Sequence, residues 1–378
     1  MSLTLLLHGR LGPTVNYAPL GSWLLPWRIG DGQAEYAALQ QAAALIDYST
    51  LAAIEVRGAD RVSFLQRLVT NDVARLAPGQ GSPAALLDAN GKMLAVFLIL
   101  MDQEGLWLLC DVERAALITP LLDRYLFTEE VKVLNHERRW AALAVQGPKA
   151  LPFLRELTEA APKPPVNSGA KEGEAALSLM ASGDHLLATL EGNPVRLIRH
   201  GITGGDGVVL LVEANTAEHT WQFLRDRGQN FGLRVSGWEA LNIARIEAGI
   251  PWYGIDMDAS NLLPETGLEA THASGTKGCY IGQEIVARLS TYGSPNKKLM
   301  GLVLGEGASV PASGDEILHE QESIGRITSG CYSWRLKRPI AMGYVKRGRD
   351  EPNTPVQILH GQTRCHATVV RRPIAAST

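Results

Sequence analysis

Cysteine is scarce and scattered. Cys110, Cys279, Cys331 and Cys365 serve 378 residues, and no two of them stand at CxxC spacing. This excludes a structural zinc site, which needs paired ligands close in sequence, and a disulfide framework of the secreted type. No resident metal is expected, and a reducing cytoplasm is the simpler setting. Long apolar runs are missing too. The opening MSLTLLLHGRLGP is broken by His8 and Arg10, so it lacks the apolar core of a signal peptide. No segment approaches the roughly 20 apolar residues of a membrane span. Charge of one sign is also absent. A net charge of -3 gives no broad basic surface for nucleic acid, although a local basic groove stays compatible with it. Neither a membrane nor a direct nucleic-acid partner is therefore expected.

What the chain does have is apolar content, 46% over 378 residues, which is too much for one ordinary core and implies two or three domains. Residues 1–32 are rich in Gly, Pro and Trp without a period, and read as an extended arm. From residue 34, AEYAALQQAAALIDYS has apolar residues at helical spacing. AIEVRG reads as a strand, and ADRVSFLQRLVTNDVARL as a helix that Asp60 can cap. Two apolar runs flank Asn90-Gly91, a strong hairpin signal. LWLLCDV adds a strand and RAALITPLLDRYLF a helix interrupted at Pro120. Helices mixed with antiparallel strands indicate an α+β layer, not a parallel sheet.

A second unit of similar plan begins near Trp140 with strand, Gly-Pro turn and helix, and the residues 171–174 (KEGE) fall in a polar loop. SGWEALNIARIEAGIP is the clearest amphipathic helix, with Trp238, Leu241, Ala244 and Ile246 on its apolar face and Gly249 and Pro251 as its stop. The irregular stretch 252–277 is too long for an idle connection. From Leu299 onward short strands and Gly/Pro turns suggest a small β-barrel. The expected organisation is an arm at 1–32, α+β subdomains at 33–139 and 140–297, and a barrel at 298–378.

Three clusters could carry chemistry. The first is KGCYIGQE at 277–284. Cys279 lies between Gly278 and Gly282 and ahead of a helical run. A helix N-terminus favours a thiolate, and Lys277 and Arg288 could add positive charge. On local features a buried, inert cysteine at a tight turn is the commoner outcome. The second is ARIEAGIPWYGIDMD, with Arg245 and Glu247 at a helix end and Tyr253, Asp256 and Asp258 in a loop. A guanidinium suits a ligand carboxylate, and a carboxylate suits the amino edge of a heterocycle, although a solvated ion pair is the commoner case. The third joins Asn71 and Asp72 with Asp88, where helix capping and turn formation are the stronger expectation. TGGDG at 203–207 lacks the helix a phosphate loop needs and reads as a turn.

RIEAGIP and KGCYIGQE together resemble the YgfZ-type folate-binding proteins, relatives of the aminomethyltransferase (T-protein) of the glycine cleavage system. VRGADRVSFLQRLVTNDV, LAVQGPKA and SIGRITSGCYSWRLKRPIAMGYV carry the same resemblance, which runs from about Ala34 to Val356. It implies two related α+β subdomains and a C-terminal β-barrel in a cloverleaf around a central folate channel, with tetrahydrofolate as ligand. It implies further that Asn71, Asp88, Arg245, Glu247, Tyr253, Gln283 and Arg288 line the folate site, with Cys279 and Lys277 as the reactive pair. The cysteine octapeptide belongs to the YgfZ branch, whereas the T-protein has an acidic residue there. T-proteins carry an aspartate pair where this chain has Ala95 and Val96, and a glutamate where it has Gly205. Residues 249–265, in contrast, resemble the T-protein more closely.

Two functions follow as expectations. One is a tetrahydrofolate-binding accessory of iron–sulfur cluster assembly or repair, serving tRNA modification indirectly, with Cys279 as a functional thiol and assembly or client proteins as partners. The alternative is a folate-dependent aminomethyltransferase or demethylase. A scaffold that has kept the fold and lost the ligand is the blander reading.

Overall fold

Alternation and turn chemistry build the first sheet. Apolar residues fill Met93–Met101 and Gly105–Asp111, which pair antiparallel from Leu98↔Leu109 to Met101↔Leu106. The full order is Gly81–Leu87, Met93–Met101, Gly105–Asp111, Leu51–Arg57 and Lys132–Asn135. The hairpin expected at Asn90-Gly91 is present: Asp88 N–H donates to Lys92 O, and Asp88 Oδ1 accepts the Asn90 and Lys92 N–H groups. The computed structural model describes residues 2–158 and 176–376. The KEGE loop lies outside these residues.

The second sheet has six strands in the order His185–Leu190, Asn193–Arg199, Gly207–Glu213, Trp140–Gln146, Ala43–Asp47 and Leu233–Val235. Ala43–Asp47 thus sits among strands from beyond residue 139, so the sheets interleave segments that are separate along the chain. The barrel is closed, in the order Lys297–Leu304, Arg338–Lys346, Glu322–Ser333, Glu316–His319, Pro355–His360 and Thr363–Val370. Its interior is apolar, with Leu302, Ile317, Ile358 and Val369 fully enclosed. The architecture is mixed α+β with a six-stranded C-terminal barrel, as expected.

Two units emerge, each built from separated segments. The first comprises Met1–Leu86, Ala95–Leu241 and Thr276–Tyr280; the second comprises Leu87–Leu94, Asn242–Gly275 and Ile281–Thr378. The cores are those of ordinary packed domains, and Cys110, Cys331 and Cys365 are buried filler within them.

Four local expectations change. The arm at 1–32 is a three-stranded sheet of Leu3–Thr4, Trp23–Arg28 and Asn16–Leu20, because Trp23 and Leu25 bury their side chains. Asp60 stands at the start of the helix Arg61–Leu68 but makes no side-chain cap; its carboxylate accepts the Glu130 N–H at 2.9 Å instead. The helix Val112–Asp123 runs through Pro120, held on both sides by buried Ala115, Ile118 and Leu122. The irregular 252–277 segment contains two single turns of helix, Leu263–Thr266 and Glu269–His272.

Within the first unit the two sheets are joined by a buried polar relay. Arg196 donates to Asp102 at 2.6 Å and to His185 Nδ1 at 2.8 Å, and His185 Nε2 donates to Met101 O at 2.9 Å. Arg196 also lies 4.9 Å over the Trp107 ring. Burial, aided by the Arg196 charge, pushes His185 down to about 4. The unfolded chain therefore takes up a proton that the folded one refuses. Stability is fully present above about pH 6.5 and is lost as the pH falls toward 4. Urea unfolding of the wild type should show this decline between pH 7 and 5, and His185→Gln should flatten it. At pH 7, Arg196→Met should cost about 2–4 kcal/mol, because Asp102 and His185 lose their partner.

Candidate functional site

The helix Trp238–Glu247 buries Trp238, Leu241, Ala244 and Ile246, and the same winding carries Arg245 inward. Arg245 is 1% exposed. Its Nε donates to Asn242 at 2.9 Å, and its two terminal nitrogens donate to Asp256, Ile250 O and Ser329 Oγ. Its guanidinium also lies 4.4 Å over the Trp252 ring. Asp256 is enclosed in turn. One oxygen accepts the Thr328 and Ser329 hydroxyls at 2.6 Å each, and the other accepts the Trp252 N–H and Arg245. Glu247 accepts the Ser333 hydroxyl in the same unit. The carboxylate expected opposite Arg245 is thus the protein's own, Asp256. Arg245 acts as a support here: four of its five N–H donors are engaged by the protein's own groups.

Lys277 is 8% exposed, and its ammonium donates to the carbonyls of Gln66, Val69 and Asn71 at 2.7, 2.6 and 2.9 Å. These carbonyls close the C-terminal end of the helix Arg61–Leu68, where backbone acceptors lack helical partners and the dipole favours a cation. Three N–H groups meet three acceptors. Burial pushes this amine down to about 8 and the Asp72 charge pulls it back up. Lys277 is therefore an anchor in this arrangement. Tyr280 is buried beside it, with the Lys277 amine 5.2 Å from its ring, and Cys279 stands exposed between the two. The following helix, Gln283–Tyr292, starts four residues after Cys279, so its first turn does not include the thiol.

The remaining nominated residues divide into local supports and exposed groups. Asn71 donates to Ser82 Oγ and Pro83 O and accepts the Asp72 N–H, fastening its own loop. Asp88 builds the hairpin turn described above. Tyr253 donates its hydroxyl to Met93 O at 2.8 Å. Gly282, with φ +79°, places a would-be Cβ 2.6 Å from Asp88 O, so only glycine lets the start of the Gln283 helix approach that turn. Asp88 and Gln283 are thereby neighbours in the second unit. Arg288, on the same helix, is exposed. Among the described residues no cluster of three His, Cys, Asp or Glu could hold a metal, and no helix is long and apolar enough to cross a membrane.

A cavity of about 630 Å3 opens in the second unit, between the 254–265 segment and the barrel. Asp256, Asp258, Lys297, Thr328, Tyr344 and Lys346 are among its walls, and none of the nine nominated residues is. Strand alternation along Arg338–Lys346 sets Tyr344 and Lys346 on one face, a signal that sequence alone could have offered.

Residues 14–274 match the model of the GCVT N-terminal domain, and residues 297–375 match the glycine cleavage T-protein C-terminal barrel domain. This chain belongs to the glycine cleavage T-protein family. It is 30% identical to the aminomethyltransferase of Bacillus subtilis over 364 residues, 96% of this chain and 95% of that one. It is 29% identical to the aminomethyltransferase of a Synechococcus strain, over 96% of this chain and 94% of the relative. In fold it is similar to the glycine cleavage system aminomethyltransferase T of Bartonella henselae, with a TM-score of 0.83, 21% identity and coverage of 99% and 98%. The T-protein superfamily that the motifs suggested is thus the right one.

Aminomethyltransferases of the T-protein family use tetrahydrofolate. Arg245, Glu247, Tyr253 and Asn71 each bond to protein atoms within their own unit.

Two variants test these roles. Arg245→Met should destabilise the protein by about 3–5 kcal/mol in urea unfolding by leaving Asp256 buried and unpaired, and pairing it with Asp256→Leu should recover much of that loss. Lys277→Met should lower stability by less, about 1–3 kcal/mol, and should open the 276–280 segment to limited proteolysis.

Proposed function

We propose that this chain is a tetrahydrofolate-dependent one-carbon transferase of the aminomethyltransferase type. The observation that carries this reading is end-to-end kinship: 30% identity to an aminomethyltransferase over 96% of this chain and 95% of the relative. Tetrahydrofolate, when bound, supplies the nitrogen that accepts the one-carbon unit. The protein's own contribution is a stiff frame. The Arg245–Asp256 cluster fixes the helix end and the 250–256 loop, and Lys277 fixes the segment that bears Cys279.

Ala95 and Val96 qualify the rate. Ala95 is fully buried in the strand Met93–Met101, and neither side chain can move a proton. General acid–base help is worth roughly 10²–10⁴-fold, so transfer should be slower by that order than in a relative carrying carboxylates there.

A second reading has its own observation. Of the four cysteines, three are buried and Cys279 alone is exposed. That favours a folate-binding accessory role in iron–sulfur cluster assembly or repair, with Cys279 as a thiolate. One thiolate cannot hold a cluster that usually takes about four cysteines, so any cluster would be shared with a partner.

Calorimetric titration with tetrahydrofolate, followed by an assay with an aminomethyl-lipoyl donor, separates the readings. Saturable binding with slow formation of methylene-tetrahydrofolate supports the transferase. Binding without product, together with loss of cluster-enzyme activity in cells carrying Cys279→Ala, supports the accessory role. Absence of folate binding overturns both.

A further inference from the structure

The barrel face around Tyr344 carries a cluster of like charges. Lys297 and Lys346 are direct cross-strand partners on Lys297–Leu304 and Arg338–Lys346. Like charges directly opposite one another destabilise a strand pair unless something neutralises them. Their present counter-charges are weak. Lys297 is 4.0 Å from Glu265, and Lys346 pairs with Glu322 where both side chains are more than half exposed. Arg326, opposite Tyr344 on the next strand, reaches only Glu316, at 3.8 Å.

Tyr344 supplies an independent observation. It shares a face with Lys346, and the Lys297 amine lies 4.7 Å over its ring. Its hydroxyl is buried without a hydrogen-bond partner. Such a group costs free energy unless a partner arrives. Burial and the nearby Glu265 and Asp256 raise its pKa above the ordinary tyrosine value, so it stays protonated and able to donate.

Of the carboxylates of the same cavity, Asp256 is saturated and the other two are held by their own segment. Asp256 already accepts four donors, Glu265 accepts from Asn261 and Leu262, and Asp258 accepts the Ser260 N–H. The barrel side of the cavity presents donor and cationic groups: Tyr344, Lys297, Lys346 and Arg326. The complement to that barrel side is an acceptor with negative charge. The volume of about 630 Å3 lies within the roughly 300–1,000 Å3 of small-molecule sites.

We infer that this cavity binds a small, multiply charged oxyanion, a carboxylate- or phosphate-bearing metabolite held by Lys297, Lys346 and Arg326 with Tyr344 donating from the wall. The site lies wholly within the second unit and does not depend on the folate reading.

The test uses the full chain, with citrate and pyrophosphate as probes in calorimetric titrations. Sodium chloride at matched ionic strength is the control, because plain screening of the lysine pair would otherwise mimic binding. At least one probe should saturate at one per chain. Lys297→Gln and Lys346→Gln should each weaken it about tenfold or more, since charged hydrogen bonds are lost. Tyr344→Phe should weaken it less, about two- to tenfold. Citrate alone would assign a carboxylate ligand, pyrophosphate alone a phosphate, and both a general oxyanion site. Failure of both probes to saturate, or affinities unmoved by the lysine variants, would overturn the inference. The lysine side chains are about half exposed, so their variants should fold. A second readout is thermal. The wild type should gain melting temperature on probe addition, and the lysine variants should gain less.

Discussion

The buried pair of Arg245 and Asp256 is the constraint on which the second unit turns. It joins a helix end, the loop that follows it and a barrel strand in one polar knot. The strand contributes through a defect. Adjacent strand residues ordinarily face opposite ways, yet Thr328 and Ser329 both reach the same oxygen of Asp256. A register shift between Ile327 and Ser329 makes this possible, re-aiming the second hydroxyl. The knot gives little net stability compared with an apolar substitute, but it admits few alternatives once half of it is in place. Its value lies in fixing where the 250–256 loop runs.

How much of this was legible depended on whether the signal was local. Asn90-Gly91 marked its hairpin because Asn-Gly suits only a few backbone conformations. Trp238, Leu241, Ala244 and Ile246 marked their helix through period, and the barrel followed from short strands with Gly and Pro between them. Arg245 is legible as a cation at a helix end, but its protein partner is not. Asp256 stood only eleven residues on, and nothing local shows that a loop folds back over its own helix. Lys277 was harder still. Its acceptors are backbone carbonyls more than two hundred residues earlier, and a carbonyl leaves no mark in a sequence. Asp60 carried a correct cap signal that a tertiary contact to Glu130 overrode.

The functional residues show a similar division. Several of the candidate residues also brace the protein's own backbone, while the exposed Cys279 is held between two buried neighbours, Lys277 and Tyr280. A thiol fixed on both sides points in a defined direction with little entropy to lose on meeting a partner. The same chain has alanine and valine where the family resemblance implies carboxylates. Kinship and chemistry therefore pull apart at a few side chains, while the fold that carries them is shared along the whole length.

The second unit is stitched from Leu87–Leu94, Asn242–Gly275 and Ile281–Thr378, and the strand Met93–Met101 begins in it and ends in the first unit. Met93 donates its N–H to Asn261 O, and Lys92 reaches Ser260 O. A ribosome delivers the hairpin tip first and its partners only after the whole of Ala95–Leu241 has been made. At synthesis rates of roughly 5–20 residues per second, the tip waits on the order of ten to thirty seconds. No single cut releases this unit as a contiguous fragment. The nascent chain must carry an unfinished hairpin until the segment Asn242–Gly275 arrives, well past the midpoint of synthesis.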